Sequence, residues 1–165
     1  ELVRLARELG FPCVGVAVHP EGHPAAASRE ADWQHQAAKL READFALTQF
    51  FHRAEDYFAL VERMAARGAT APIVPGVMPI TNVRQVERMA AMSGTNIPLE
   101  LAERLQSVAD RPEDVRRIGV EHATLLCQEL LDGGAPGLHF YTMNRAAATL
   151  EVCANLGWEP RAAVP

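Results

Sequence analysis

The stretch VAVHPEGHPAAA, residues 16–27, ends an apolar run in His19, Glu21 and His23. Alternate residues of an extended strand project to one side, so a His-x-Glu-x-His spacing could aim three ligands at one metal ion. Pro20 and Pro24 also fix φ and push His19 and His23 toward extended or turn geometry. Taken alone, the stretch fits a metal site, a structural loop or a non-metal binding loop. Three later apolar runs end in unusual polar groups too. FALTQF (45–50) closes on Thr48 and Gln49; APIVPGV (71–77) leads through Pro75 and Gly76 to Gln85; GLHFYT (137–142) leads into Tyr141, Asn144 and Arg145. Uncharged hydrogen-bonding groups such as Gln49 and Gln85, with a single Arg145, suit the orientation of a heterocycle and one carboxylate better than hydrolysis. None of these side chains is an obvious nucleophile.

These residues need elements to position them, and the chain has a repeating grammar. Residues 1–10 carry Leu2, Leu5, Ala6 and Leu9 on one helical stripe that ends at Gly10. CVGVAV (13–18) is a short unalternating apolar run, as in a strand buried on both faces. Helix 26–43, strand 45–50, helix 54–67 and strand 71–77 follow, then helices over about 82–93 and 98–108. A longer helix has Asp110 as its N-cap, Pro112 in its first turn and glycines at its end, before strand 137–142 and helix 144–156. Alternating strands and helices predict an α/β fold of parallel (βα) units with crossover helices. Four such strands are half of a TIM (βα)8 barrel; a flavodoxin-like open sheet is the alternative, but no Gly-rich phosphate loop follows any strand.

Composition bounds the function. The 165 residues, nearly half of them apolar, suit one domain with a sizeable core. A net charge of −5 without a basic run argues against nucleic acid or an anionic membrane surface as partner. Cys13, Cys127 and Cys153 are odd in number and lack C-x-x-C spacing, which points to reduced thiols in a cytoplasmic protein. No apolar stretch approaches the roughly 20 residues that span a bilayer, and residues 1–20 do not show a signal peptide's basic and apolar regions. The sequence begins with Glu inside a helical pattern, so residues 1–165 are expected to be one partial barrel domain whose N-terminal half is missing. Open parallel edges and an uncovered barrel interior predict self-association.

Taken together, HPEGHP (19–24), the spaced Asp32 and Lys39, LTQFF (47–51), IVPGVMPI (73–80) and PGLHFYTMNRAAAT (136–149) resemble the methylenetetrahydrofolate reductase family in order and across nearly the whole chain. The resemblance implies a (βα)8 barrel that binds FAD, of which this chain is the C-terminal half. It also implies reduction of 5,10-methylenetetrahydrofolate to 5-methyltetrahydrofolate with electrons from NAD(P)H, and a homo-oligomer at full length. Carried over by position, the FAD contacts are His19, His23, Asp32, His35 and Lys39; Lys39 would neutralise pyrophosphate charge, and the others would hydrogen-bond ribityl and ribose hydroxyls. His19 stands where the family usually has an aromatic residue, and Ala38 lacks the basic side chain of some members. Tyr141 either lines the flavin and nicotinamide side or packs at the strand end. Folate contacts fall on Gln49, Gln85 and Arg145, with Gln49 bonding the pterin and Arg145 the glutamate carboxylate.

The family's catalytic glutamate and its flavin-tuning aspartate lie in segments outside this sequence, so no catalytic residue is assigned. Glu21 belongs to the cofactor loop, and no metal is expected. His52, His122 and His139 read as surface or satisfied interior residues. Two alternatives stay in view: a metal-dependent TIM-barrel hydrolase using His19, Glu21 and His23, and a non-catalytic half-barrel.

Overall fold

The structure, a computed structural model, describes residues 1–158; residues 159–165 of the expected domain lie outside the described residues. Its elements run α1 (Leu2–Glu8), β1 (Gly15–Val18), α2 (Arg29–Leu40), β2 (Phe45–Phe50), α3 (Ala54–Ala66), β3 (Ile73–Val77), α4 (Val83–Ser93), α5 (Leu99–Gln106), α6 (Pro112–Asp132), β4 (His139–Phe140) and α7 (Ala147–Asn155). The four strands pair in parallel in the order β1-β2-β3-β4. This is the α/β arrangement of a partial TIM barrel.

The helices cover one face of the sheet. Ala37 and Leu40 of α2, Tyr57, Leu60 and Met64 of α3, Val120, Leu126, Cys127 and Leu130 of α6, and Val152 of α7 close over Val18, Ala46, Ile73 and Val77. Along β2 burial alternates: Ala46, Thr48 and Phe50 are buried, whereas Phe45, Leu47 and Gln49 are half-buried on the other face. A second, smaller core joins Phe50, Met78 and Ile80 beyond the strand ends to α4, α5 and the start of α6. There Gly119 of α6 lies so close to Ile80 that a Cβ would meet its carbonyl oxygen, so only glycine permits this approach.

Four expectations change. β1 is not buried on both faces: Gly15 and Ala17 are exposed, because the helices pack only on the side of Val16 and Val18. The leucine stripe of α1 forms but none of its residues is buried among the described residues, with Leu2 79% and Leu9 68% exposed. α2 starts later than expected because the Ser28 hydroxyl accepts from the Ala31 N–H at 3.1 Å and caps it there, leaving the alanines 25–27 as loop. α6 is preceded by Arg111 rather than Asp110 as N-cap residue, with Pro112 opening it.

Strand β3 contains Pro75, which has no N–H for a ladder. Opposite it, β2 carries an extra residue: Leu47 pairs with Val74, but the next pair is Phe50 with Gly76. The Gly76 N–H bonds instead to the Thr48 hydroxyl at 2.8 Å, with Thr48 fully buried. The Thr48 carbonyl accepts from the Tyr141 hydroxyl, also at 2.8 Å, so the tyrosine crosses β3 over Gly76. Thr48→Val keeps the shape and orphans the Gly76 N–H, and is expected to lower stability by about 1–3 kcal/mol, while Thr48→Ser loses less. Urea unfolding midpoints of both variants check this; equal midpoints for Val and Ser would contradict the role of the hydroxyl.

Candidate functional site

The C-terminal strand ends build two hollows, one at each side of the sheet. The first lies between the β1 loop and α2, encloses about 420 Å³ and is lined by His19, His23, Asp32, His35 and Lys39 together with Gln36 and alanines. Their order on α2 follows from helical spacing, since residues three and four apart share a face. Two buried side chains fix the loop. Gln36, 1% exposed, accepts from the His19 N–H at 2.7 Å and donates to the His19 carbonyl at 3.3 Å. Asp32, 6% exposed, accepts through Oδ2 from the His23 N–H at 2.9 Å and the Gln36 amide at 2.6 Å.

Burial tunes His19 and Lys39 in this hollow. His19 is held below the usual histidine range, first by burial and then by the neighbouring His23, whose ring meets it edge-on at 4.6 Å. Its Nδ1 is buried without a protein partner. The His23 Nδ1 accepts from the Ala25 N–H at 3.1 Å, so in the neutral ring the proton sits on Nε2. Lys39 is drawn down by burial and partly restored by Asp32; its Nζ donates to the Ala17 carbonyl at 2.5 Å. The hollow thus combines one half-buried ammonium, imidazole donors and an alanine wall.

Glu21 does not join it. Its carboxylate accepts from the Asn96 N–H at 3.0 Å and the Asn96 side-chain amide at 2.6 Å, and burial raises its pKa against those bonds. Among the described residues no three His, Cys, Asp or Glu side chains gather as a metal site. The His-x-Glu-x-His spacing fails as a ligand set because the loop turns at Gly22 (φ +91°) and sends Glu21 to the α4–α5 connection.

The second hollow, about 200 Å³, lies beyond β3 and β4 and brings together Gln85, Arg145 and Tyr141 with Ile80, Asn82 and Met143. Asn82 caps α4 by accepting from the Gln85 N–H at 2.9 Å, which sets Gln85 in the first turn. Arg145 follows a tight turn in which Met143 (φ 51°) and Asn144 (φ 60°) are both left-handed, closed by the Arg145 N–H on the Thr142 carbonyl at 2.9 Å. Tyr141, grouped by sequence with the cofactor residues, lies here instead, its phenol spent on Thr48 and pushed up by burial. Gln49 borders neither hollow; it sits half-buried on β2, the strand between β1 and β3.

The chain belongs to the methylenetetrahydrofolate reductase family. The family model matches residues 1–157. A probable methylenetetrahydrofolate reductase (NADPH) from Caenorhabditis elegans is 35% identical over 95% of this chain and 24% of its own length. The 5,10-methylenetetrahydrofolate reductase of Escherichia coli (strain K12) is 33% identical over 97% of this chain and 54% of its own. A methylenetetrahydrofolate reductase (NADH) 1 from Arabidopsis thaliana is 33% identical over 87% and 26%. The chain therefore spans between about a quarter and about half of these relatives. The fold also matches an uncharacterized protein from Clostridium thermocellum that binds two copies of 5-methyl-5,6,7,8-tetrahydrofolic acid, with a TM-score of 0.63 at 14% identity, over 93% of this chain and 55% of that one. No helix among the described residues is long and apolar enough to cross a membrane.

Sequence reasoning missed Gln36 and Asn96 and noted Thr48 only as a strand-end polar group; Gln36 holds the His19 backbone, Thr48 joins Gly76 to Tyr141, and Asn96 draws Glu21 away from the first hollow. Gln36 carried a usable signal, standing four residues after Asp32. It also misjudged two histidines. His52 is 4% exposed, and its Nε2 and that of His122, both buried, have no partner; the rings lie 5.6 Å apart. Burial, with His122 beside it, lowers the His52 pKa to about 3. The unfolded chain takes up this proton near the ordinary pKa of 6.5 and the folded chain does not, so stability is full above 6.5 and falls as pH drops toward 3. His52→Phe is expected to flatten the stability curve between pH 6.5 and 5, where wild type loses up to about 1.4 kcal/mol per pH unit through this group. Unfolding midpoints over that range test it; parallel curves would show that His52 is not held neutral.

Proposed function

We propose that the chain forms the FAD- and folate-binding part of a cytoplasmic methylenetetrahydrofolate reductase, reducing 5,10-methylenetetrahydrofolate to 5-methyltetrahydrofolate with NAD(P)H in the one-carbon supply for methionine. The observation that carries the reading is the sorting of the site residues: five gather at the β1–α2 hollow and three at the β3–β4 hollow, both at strand C-termini, where barrel active sites form. The donor set fits the cofactor. A half-buried lysine, a partnerless His19 Nδ1 and imidazole donors on a loop locked by Gln36 match phosphates and sugar hydroxyls, whereas a metal would need the Glu21 that Asn96 holds.

Bound FAD would supply hydride transfer. Lys39 would neutralise pyrophosphate charge, and His19, His23 and His35 would bond hydroxyls and phosphate oxygens. Asp32, with its Oδ2 engaged, acts by holding the His23 backbone in place. Gln49 would offer its amide to the pterin; Gln85 and Arg145 would take the rest of the folate, with Arg145 on the glutamate carboxylate. Tyr141 would form the wall between. Further (βα) units of the relatives' greater length would supply the catalytic acid and cover the open sheet face, and the same face and edges would mediate self-association without them.

Lys39→Ala is expected to weaken FAD about 10- to 150-fold, the equivalent of a charge-assisted bond of about 1.5–3 kcal/mol. Gln49→Ala is expected to keep FAD and slow the folate half-reaction. Flavin titration and stopped-flow half-reactions separate them. If Gln49→Ala shed its flavin while Lys39→Ala slowed only folate reduction, the assignments would be reversed.

A further inference from the structure

Glu21, the middle residue of the His-x-Glu-x-His spacing, does not line the cofactor hollow, yet its half-buried carboxylate is engaged on both oxygens. Oε1 accepts from the Asn96 N–H at 3.0 Å and from the Asn96 side-chain amide at 2.6 Å, and Oε2 lies 3.2 Å from the same N–H. Arg53 and Asp56, the charged groups that face it from the start of α3, are bonded to each other at 3.0 Å. Asn96 belongs to the connection between α4 and α5, residues 94–98, which packs along the β1–α2 loop. Gly94 is left-handed (φ +72°) and so near the loop that a Cβ would stand 3.3 Å from Pro24. The Ser93 carbonyl faces the His19 imidazole, and Thr95 fastens the connection to the end of β2 through the Phe50 carbonyl at 3.0 Å. The loop is therefore held from two sides. Asp32 and Gln36 of α2 bond its backbone on one; on the other, among the described residues, Glu21 makes its only side-chain hydrogen bonds to the connection.

We propose that Glu21 is a positioning residue for the cofactor: clasped by Asn96, it holds the β1–α2 loop against the hollow and sets how fast the cofactor leaves. The inference rests on the reading that this hollow takes FAD. Glu21 stands two residues from both His19 and His23, so release of the clasp displaces both imidazoles without removing either. A segment that closes on a ligand and reopens needs contacts that are strong but few. The clasp meets both demands. Hydrogen bonds to an ionised acceptor are about twice as strong as neutral ones, and Asn96 is exposed, so water replaces it once the two part.

The test follows FAD release from the full-length protein, read as the rise of free-flavin fluorescence after dilution, beside urea unfolding midpoints of the same variants. Glu21→Ala is expected to release FAD about tenfold faster than wild type, as for the loss of one charge-assisted hydrogen bond. Glu21→Gln, which keeps one carbonyl acceptor, should fall between. Asn96→Asp sets two carboxylates within bonding distance, and they repel while both are ionised. Its release rate relative to wild type is expected to be largest near about pH 8 and to narrow toward about pH 5.5, where one shared proton lets the pair bond again. Where Glu21→Ala fails to fold, this pH dependence of Asn96→Asp decides. A role in folding alone would lower the unfolding midpoints and leave that ratio independent of pH, which overturns the proposal. Release at the wild-type rate from both Glu21→Ala and Asn96→Asp overturns the clasp and leaves the reading of the hollow standing. A wild-type protein that takes up no FAD overturns both.

Discussion

The placement of the strand ends depends on a missing hydrogen atom. Pro75 sits in β3, a strand paired on both sides, where a proline breaks the ladder. The chain answers with an extra residue in β2 opposite it and with the Thr48 hydroxyl, which reaches the Gly76 N–H that the displaced ladder leaves without a backbone acceptor. The freed Thr48 carbonyl then receives Tyr141, the residue that follows β4. One irregularity thereby ties three strands together at the end where ligand groups collect. A bulge increases local twist and re-aims side chains, and Gln49 is the residue next to it. Gly76 is required by the same arrangement, since a Cβ there would meet both the Thr48 carbonyl and the Tyr141 ring.

At the other side of the sheet the problem is different, because β1 is an edge strand of the four described and pairs only with β2. The position of its loop is imposed by α2 and by the α4–α5 connection. Gln36 mimics a backbone partner for His19, accepting from its N–H and donating to its carbonyl, while Asp32 holds the His23 N–H. From the far side Asn96 holds Glu21, and Thr95 donates to the Phe50 carbonyl at 3.0 Å, so the connection crosses the end of β2 to reach the loop. Polar groups that look like ligands in the sequence are thus divided between those that hold the loop and those left to face the hollow.

That division explains what was legible. Strand and helix order could be read because short apolar runs bounded by glycine or proline alternate with helical stripes, a signal that depends only on local spacing. The grouping of His35 and Lys39 with His19 and His23 could also be read, from helical spacing and the family resemblance. Two-sided burial of β1 could not, because an apolar run looks the same whether one or both faces are covered. The role of Glu21 could not either, since a carboxylate's partner 75 residues away leaves no trace in spacing. Tyr141 was ambiguous for the same reason: its position just after β4 is local, but the carbonyl that takes its hydroxyl is 93 residues distant.

Arg145 shows how a cation is left without an ion-pair partner among the described residues. Met143 and Asn144 both adopt left-handed backbone, which asparagine tolerates and methionine does not favour, at a cost on the order of 1–3 kcal/mol for such a residue. The turn persists because its ends are fixed: Tyr141 is bonded to Val77 through its N–H and to Thr48 through its hydroxyl, and α7 is anchored by the buried Ala148 and Val152. A relaxed connection would leave Arg145 free to drift toward one of the many surface carboxylates. Held by backbone instead, it stays at the meeting of two clefts with no carboxylate paired to it among the described residues, so the strain near β4 is balanced by packing in α7.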